Sequence, residues 1–396
     1  MKNQIVILIG LLFYVAQTSP AQGKTPELTG ALQYMVEISS GTTQSSGVGE
    51  VQKLISEKLH ELHFQTEIRA GNLLVGTLVG EKAGEVTFLV HADTVFEESS
   101  GFKGFKLSAD EQTATGPGVI DDKGGITVAL AALKLYLRDH PKPKYSLRVI
   151  SSPNEEIGSN EFLEDFKKWS AQSILVLGFE PALEDGSIIE SRRGNRWYKI
   201  SIEGRESHSG RAHKEGINAC LELSNLLVKL SALTDYSKNI TVSVGRIEGG
   251  KDKFNIVCGN ASAKVDTRFS DFKSRDELHH KIEKILSKSS VHAQSDGTPA
   301  KTTYTLANDC PPFSVSKSSK KYIQKYLKIA EKEEGAHLKS LRSDGAADSN
   351  YFSRPGLATI DGLGPVGGKM HTKEEFISLK TLETRSSALA KFLGDL

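Results

Sequence analysis

The sequence predicts an α/β fold: a mixed, mostly parallel sheet flanked by helices, with a smaller α+β unit inserted into it. Three observations lead there. Helical segments with one apolar face alternate with short runs that are apolar throughout, as in a sheet buried on both sides. Several of those runs stop abruptly in His, Asp or Glu, and open α/β sheets carry their sites at that carboxyl edge. Residues 194–311 have their own β-α-β-β-α-β order, the split βαβ or ferredoxin-like arrangement.

Taken in order, residues 1–21 combine Lys2, an apolar run over 5–15, and Ser19-Pro20-Ala21 with small residues at both recognition positions of a signal-peptidase site. This is the pattern of a secretory signal cleaved after Ala21, too short to span a membrane. Export, to a bacterial periplasm, is expected, and no later segment reads as a membrane span. The chain of 396 residues has 50 Lys and Arg against 49 Asp and Glu, a net charge of +1. No basic block points to nucleic acid or a lipid surface as partner. A mature chain of about 375 residues is more than one core serves, so two domains are expected, the catalytic one in two parts, 22–193 and 312–396. Cys220, Cys258 and Cys310 are odd in number without CxxC spacing, so no disulfide framework is implied, and a single pair stays open.

Val51, Leu54, Ile55, Leu59 and Leu62 place a helix over 50–62, and strands are expected over 72–79 and 85–90. The second strand ends in His91-Ala92-Asp93. A neutral imidazole suits Zn²⁺, and a residue two positions on along an extended chain points to the same side, so Asp93 can orient the His91 ring. The turn Gly116-Pro117-Gly118 then leads to Asp121-Asp122 before an Ala- and Leu-rich helix over 123–137. One Asp can bridge two cations about 3.5 to 4 Å apart, although an Asp in that place is most often an N-cap. Strand 145–150 runs into Asn154-Glu155-Glu156, where one carboxylate can bind metal while its neighbour takes a proton. Strand 174–177 ends in Gly178-Phe179-Glu180, a third acid at the same edge.

In the inserted unit, 194–311, strands are expected over 196–202, 240–247, 261–269 and 302–306, with helices over 214–230 and 274–287. Beyond it come a helix over 318–334, the Gly-containing loop Ser343-Asp344-Gly345-Ala346-Ala347-Asp348, a strand over 357–360, the His371 block and a last helix over 378–393. Two motifs mislead. Gly362-Leu363-Gly364-Pro365-Val366-Gly367 fits GxGxxG, but it contains Pro365 and no helix follows. The stretch 245–251 fits GxxxxGK, but Asp252 replaces the Ser or Thr that would bind magnesium. No GxSxG is present, which removes the usual serine-hydrolase elbow.

In order and spacing these blocks resemble the di-zinc metallopeptidase family that contains glutamate carboxypeptidase, aminoacylase and succinyl-diaminopimelate desuccinylase. The resemblance covers the whole mature chain and sits closest to the glutamate carboxypeptidases. It implies two zinc ions per chain, with His91, Asp121 and Glu180 on one and Asp121, Glu156 and His371 on the other. It also implies a cis Asp121–Asp122 peptide, Asp93 orienting His91, and Glu155 as general base. The inserted unit would be a lid through which many members form homodimers, its His208 stabilising the oxyanion. Asn255 and Arg268 would contact the substrate, Arg268 clamping a terminal carboxylate, and Asp348 would line the same site. The reaction implied is hydrolysis of an amide bond in a peptide or N-acyl amino acid: carboxypeptidase action, or dipeptidase or deacylase action as the alternative. A binding-only zinc protein is the reading from another class, and it would need no base such as Glu155. Where glutamate carboxypeptidases carry an Arg before Pro at the lid's end, this chain has Cys310-Pro311, and Ser187 stands near the place of their Lys. Both changes put specificity for glutamate in question unless Arg192, Arg193 or Arg342 substitutes.

Overall fold

The computed structural model describes residues 25–354 and 356–396; the signal-like stretch and its cleavage point lie outside them. Among the described residues no helix is long and apolar enough to cross a membrane. The central sheet has six strands in the order Gln65–Ile68, Leu74–Leu78, Tyr145–Ser152, Lys82–His91, Ser173–Gly178, Ala358–Ile360. The first two pairings are antiparallel and the other three parallel. The sheet is therefore mixed and mostly parallel.

Lys82–His91 lies inside this sheet, and its alternate residues serve two different cores. Val86, Phe88 and Val90 face the helices Thr25–Glu37, Ser45–Glu61, Lys123–Asp139, Lys317–Glu334 and Lys380–Gly394. Leu89, with Ile150 and Val176, packs on Phe166, Trp169 and Phe352 of the opposite layer. Burial on both faces is why the strand is apolar at consecutive positions rather than alternately. The register sets His91 beside Ser152 and Leu89 beside Gly178, so three strand ends deliver their following residues to one edge.

The inserted unit forms a separate antiparallel sheet in the order Thr241–Gly249, Asn260–Phe269, Gly194–Glu203, Lys301–Cys310. Numbered along the chain, that is 2-3-1-4, the split βαβ arrangement. Helices Ala219–Ser231 and Phe272–Leu286 cover one face, around Tyr198, Ile200, Leu226, Val265 and Ile282, while Lys199, Ser201 and Glu203 stay exposed. The helix expected from 214 starts later: a short 3-10 turn, His213–Glu215, ends at Gly216, and the Asn218 side chain caps the helix by accepting from Leu221 N–H at 3.1 Å. Cys220 and Cys258 are bonded, with Cα atoms 5.7 Å apart, and Cys310 is free and buried.

Periodicity did not find the helix Thr25–Glu37 or a small sheet built from Lys106–Leu107, Thr113–Thr115, Phe376–Ser378 and Gly367–Gly368. Strands of two or three residues carry no period, and their partners lie far away in sequence.

Arg385 is fully buried in the last helix, with Nε 2.8 Å from Glu334 Oε1 and Nη2 donating to the carbonyl of Gly186. Arg385→Met leaves the Glu334 carboxylate buried without its cation, and should lower stability by about 3 to 5 kcal/mol, read as a lower urea midpoint at unchanged slope. The disulfide closes a loop with a sequence separation of 38. Its loss in a Cys220→Ser, Cys258→Ser double variant should destabilise the inserted unit by up to about 4 kcal/mol, measured by thermal unfolding with and without reductant.

Candidate metal centre and active site

Three parallel strands end at the same edge, and each is followed by acids. His91 closes the first, Glu155 and Glu156 follow the second in a short 3-10 turn, and Glu180 follows the third. Asp121 and Asp122 come from the loop before Lys123–Asp139, joined by a cis peptide. Asp122 does not cap that helix; its Oδ2 accepts the backbone N–H of His91 at 3.1 Å. The helix start comes this close because Gly125 has no side chain: a Cβ there would lie 1.8 Å from Asp122 Oδ1 and 2.2 Å from the carbonyl of Phe179.

Asp121 is the centre of the cluster. Its Oδ1 lies 3.0 Å from His91 Nε2, and its Oδ2 lies 3.2 Å from His371 Nε2. His371 also lies 3.3 Å from Glu156 Oε2, and His91 Nε2 lies 3.7 Å from Glu180 Oε1. On the far side of the His91 ring, Nδ1 is 3.2 Å from Asp93 Oδ1 and 3.1 Å from the Asp93 carbonyl. His91, Asp121 and Glu156 each offer one donor atom within 4.8 Å of the others, as do His91, Glu155 and Glu180.

The electrostatics follow from crowding acids out of water. Burial pushes Glu180 up to about 8, with the Asp121 charge adding to it. Burial first, then the neighbouring Glu180, raises Glu155 well above the ordinary carboxylate range. Asp348 rises to about 6 through burial. Burial alone would raise Asp121 as well, but hydrogen bonds from His371 and His91 hold it well below its ordinary value. Such a group of acids is stable only beside positive charge. The donor set is imidazole nitrogen and carboxylate oxygen, which suits Zn²⁺ and its neighbours among the divalent ions. Glu156 Oε1 is buried without a hydrogen-bond partner, and each Asp121 oxygen faces a different histidine. These residues fit a pair of divalent cations.

Of the other candidates, Asp348 stands beside the cluster. Asp348 is buried next to Glu155 and accepts from Ser152 Oγ. Arg268 sits in the inserted sheet opposite Asn195 and Thr241, with Nε donating to Asp266 Oδ2 at 2.9 Å. Like Asp266, it alternates with the buried strand residues and so lies on the face of that sheet that the two helices leave uncovered. His208 and Asn255 are exposed neighbours on the inserted unit, where Ser209 N–H donates to the Asn255 carbonyl at 3.0 Å. No contact among the described residues brings either to His91 or Asp121. His208 Nδ1 accepts from the amides of Gly210 and Arg211 at 3.2 and 3.3 Å, which leaves Nε2 as the donor.

Three further residues shape the site without having stood out in the sequence. Thr42 Oγ1 donates to Asp93 Oδ2 at 2.7 Å. Asp361 takes Arg192 Nε at 2.7 Å, while Arg192 Nη2 stands 3.7 Å from Glu180 Oε2. Ser152 holds Asp348. Thr42 and Asp361 have no motif spacing to Asp93 or Arg192, so the only hint for Ser152 was its place at a strand's end. Arg192 is buried and already paired, so it is not a free partner for a substrate carboxylate, and Ser187 is buried as well.

Residues 87–395 match the family model described as Peptidase family M20/M25/M40. The chain is 26% identical over 386 residues to carboxypeptidase G2 of Pseudomonas sp. (strain RS-16), covering 95% of this chain and 91% of that protein. It is 25% identical over 374 residues to succinyl-diaminopimelate desuccinylase of Bradyrhizobium sp. (strain ORS 278), covering 88% and 94%. The fold is shared with aminopeptidase PepT from Bacillus cereus ATCC 10987, at a TM-score of 0.73 and 19% identity over 93% of this chain and 99% of that one. It is shared equally with the M20 family metallo-carboxypeptidase Sso-CP2 from Sulfolobus solfataricus, at 0.73 and 16% identity over 93% and 98%. With a metal-ready cluster at the sheet edge and a family model spanning most of its length, the chain belongs to peptidase family M20/M25/M40 and is a metal-dependent hydrolase of peptide or amide bonds.

Proposed function

We propose that this enzyme is an exported di-zinc carboxypeptidase that hydrolyses the amide bond before a C-terminal amino acid. The observation that carries the reading is Asp121, whose two oxygens face two different histidines inside a ring of acids. In this reading His91, Asp121 and Glu180 hold one zinc, and Asp121, Glu156 and His371 hold the other. When bound, the ions supply Lewis-acid polarisation of the scissile carbonyl and lower the pKa of water at the site. Asp93 keeps the His91 proton on Nδ1, so that Nε2 presents its lone pair to the centre. Glu155, whose amide is fixed by Asp93 at 3.0 Å, accepts the proton of the attacking water and passes it to the leaving amine. His208 donates from Nε2 to the oxygen that becomes negative in the tetrahedral state, which requires the lid loop to approach the centre, from this chain or from a second copy paired through the lid. Arg268 clamps the terminal carboxylate, Asn255 adds a polar contact, and Asp348 supports the base pocket.

Similarity to a carboxypeptidase over nearly the whole chain supports this choice. Cys310 at the lid's end, together with similarity to a desuccinylase, supports a second reading as an N-acyl-amino-acid deacylase or dipeptidase. Export is supported by the Lys2, 5–15 and Ala21 pattern and by the Cys220–Cys258 bond, which suits an oxidising compartment. Periplasmic protein is expected to begin at Gln22.

Excess chelator should abolish turnover, and zinc should restore it. Glu155→Gln should leave a folded, zinc-loaded protein with kcat down by at least about 100-fold; turnover near wild type would remove Glu155 from its role. On N-blocked dipeptides with varied C-terminal residues, Arg268→Ala should lower kcat/KM by about 30-fold, the loss of a charged hydrogen bond of about 2 kcal/mol. Turnover of N-acyl amino acids such as N-succinyl or N-acetyl amino acids, with none of the blocked dipeptides, would favour deacylase action instead.

A further inference from the structure

The loop that presents His371 makes a second contact with Asp121 that the proposed chemistry does not use. Glu375, four residues on, is fully buried. Its Oε1 accepts the backbone N–H of Ile120 at 3.0 Å and that of Asp121 at 3.4 Å, while Oε2 has no hydrogen-bond partner. The loop is closed on itself by Thr372 Oγ1 donating to the Lys369 carbonyl at 2.7 Å and by Glu375 N–H donating to the Thr372 carbonyl at 3.1 Å. Lys369 and His371 both hold left-handed backbone, at φ 55° and 63°, a conformation that non-glycine residues keep only when their surroundings impose it. One loop thus grips Asp121 at both ends, His371 at its carboxylate and Glu375 at its amide. Lys123, itself buried, donates to the carbonyls of Ile38 at 2.8 Å and Pro117 at 3.5 Å. A negative charge gains nothing from the acids around it, so the useful property of this side chain is an acceptor oxygen at the right reach.

We propose that Glu375 is a positioning residue of the metal centre, locking the Ile120 and Asp121 amides so that Asp121 turns one oxygen toward His91 and the other toward His371. The proposal rests on the reading of Asp121 and His371 as metal ligands. Two variants separate reach from charge. Glu375→Gln keeps an acceptor at the same distance without the charge, and Glu375→Asp keeps the charge but falls one methylene short. Zinc affinity, measured on full-length protein by competition with a chelator, should stay within about threefold of wild type in the Gln variant and fall by about tenfold or more in the Asp variant. Thermal melts of the metal-free proteins check that each is folded. Should the Asp variant fail to fold, Glu375→Ala takes its place with the same expected loss. A charge-only role predicts the reverse order, and that order, or equal zinc affinity in all the proteins, overturns the proposal. Asp121→Asn tests the underlying reading by itself: retention of two zinc ions by that variant removes Asp121 as a ligand, whatever Glu375 does.

Discussion

The centre hangs on Asp93. Its carboxylate is fully buried and takes the ring nitrogen of His91, the amides of Glu155 and Glu156 at 3.0 and 3.3 Å, and the hydroxyl of Thr42. Hydrogen bonds to a charged group contribute about 1.5 to 3 kcal/mol each. One side chain therefore ties together the ends of two neighbouring strands and the loop between the first two helices. Since the amides of both glutamates are held at one point, their side chains leave in directions set by the backbone. Glu156 turns to His371, and Glu155 turns into the cavity it shares with His91, Glu180 and Asp348.

Around that point the chain concentrates more negative charge than a protein interior normally holds. The sheet edge makes this possible because strand ends present polar side chains without exposing the apolar strands behind them. Arg192 supplies one permanent cation, anchored by Asp361 and standing 3.7 Å behind Glu180. The remaining demand for positive charge is met by the histidines and fits divalent ions. The inserted unit contributes none of these donors. Its own core lets it carry Arg268, His208 and Asn255 independently, joined to the catalytic domain where Asn350 Nδ2 donates to the carbonyls of Arg193 and Pro311 and Arg192 pairs with Phe313.

The sheet and most helices were legible because burial imposes a pattern on the sequence. A strand covered on both faces is apolar at successive positions, as Phe88, Leu89 and Val90 are, and the His91 and Asp93 side chains directly after them have nowhere to sit but the edge. The helix 123–139 was equally plain from its Ala and Leu content. The helix at Thr25–Glu37 was not, since it follows a stretch dominated by a different signal. The short strands at Thr113–Thr115 and Phe376–Ser378 pair with each other and with Lys106–Leu107 and Gly367–Gly368, so they exist only through that pairing. In the site, residues adjacent to strand ends were readable: His91, Asp93, Glu155, Glu156 and Glu180. Thr42 and Asp361 were not, because their partners lie 51 and 169 residues away.

The order of residues therefore carried the layered α/β architecture, the inserted split βαβ unit and which polar side chains stand at the sheet edge. These follow from local periodicity and from the order of chemical groups along the chain. Tertiary structure alone decided that Asp122 turns to the His91 amide instead of capping its helix, that Cys220 bonds Cys258 and leaves Cys310 buried, and that Arg192 pairs with Asp361 while Arg268 pairs with Asp266. Each of these is a choice between partners of similar chemistry. Such choices depend on which groups the folded chain brings within about 3 Å of one another, a distance that spacing along the sequence does not encode.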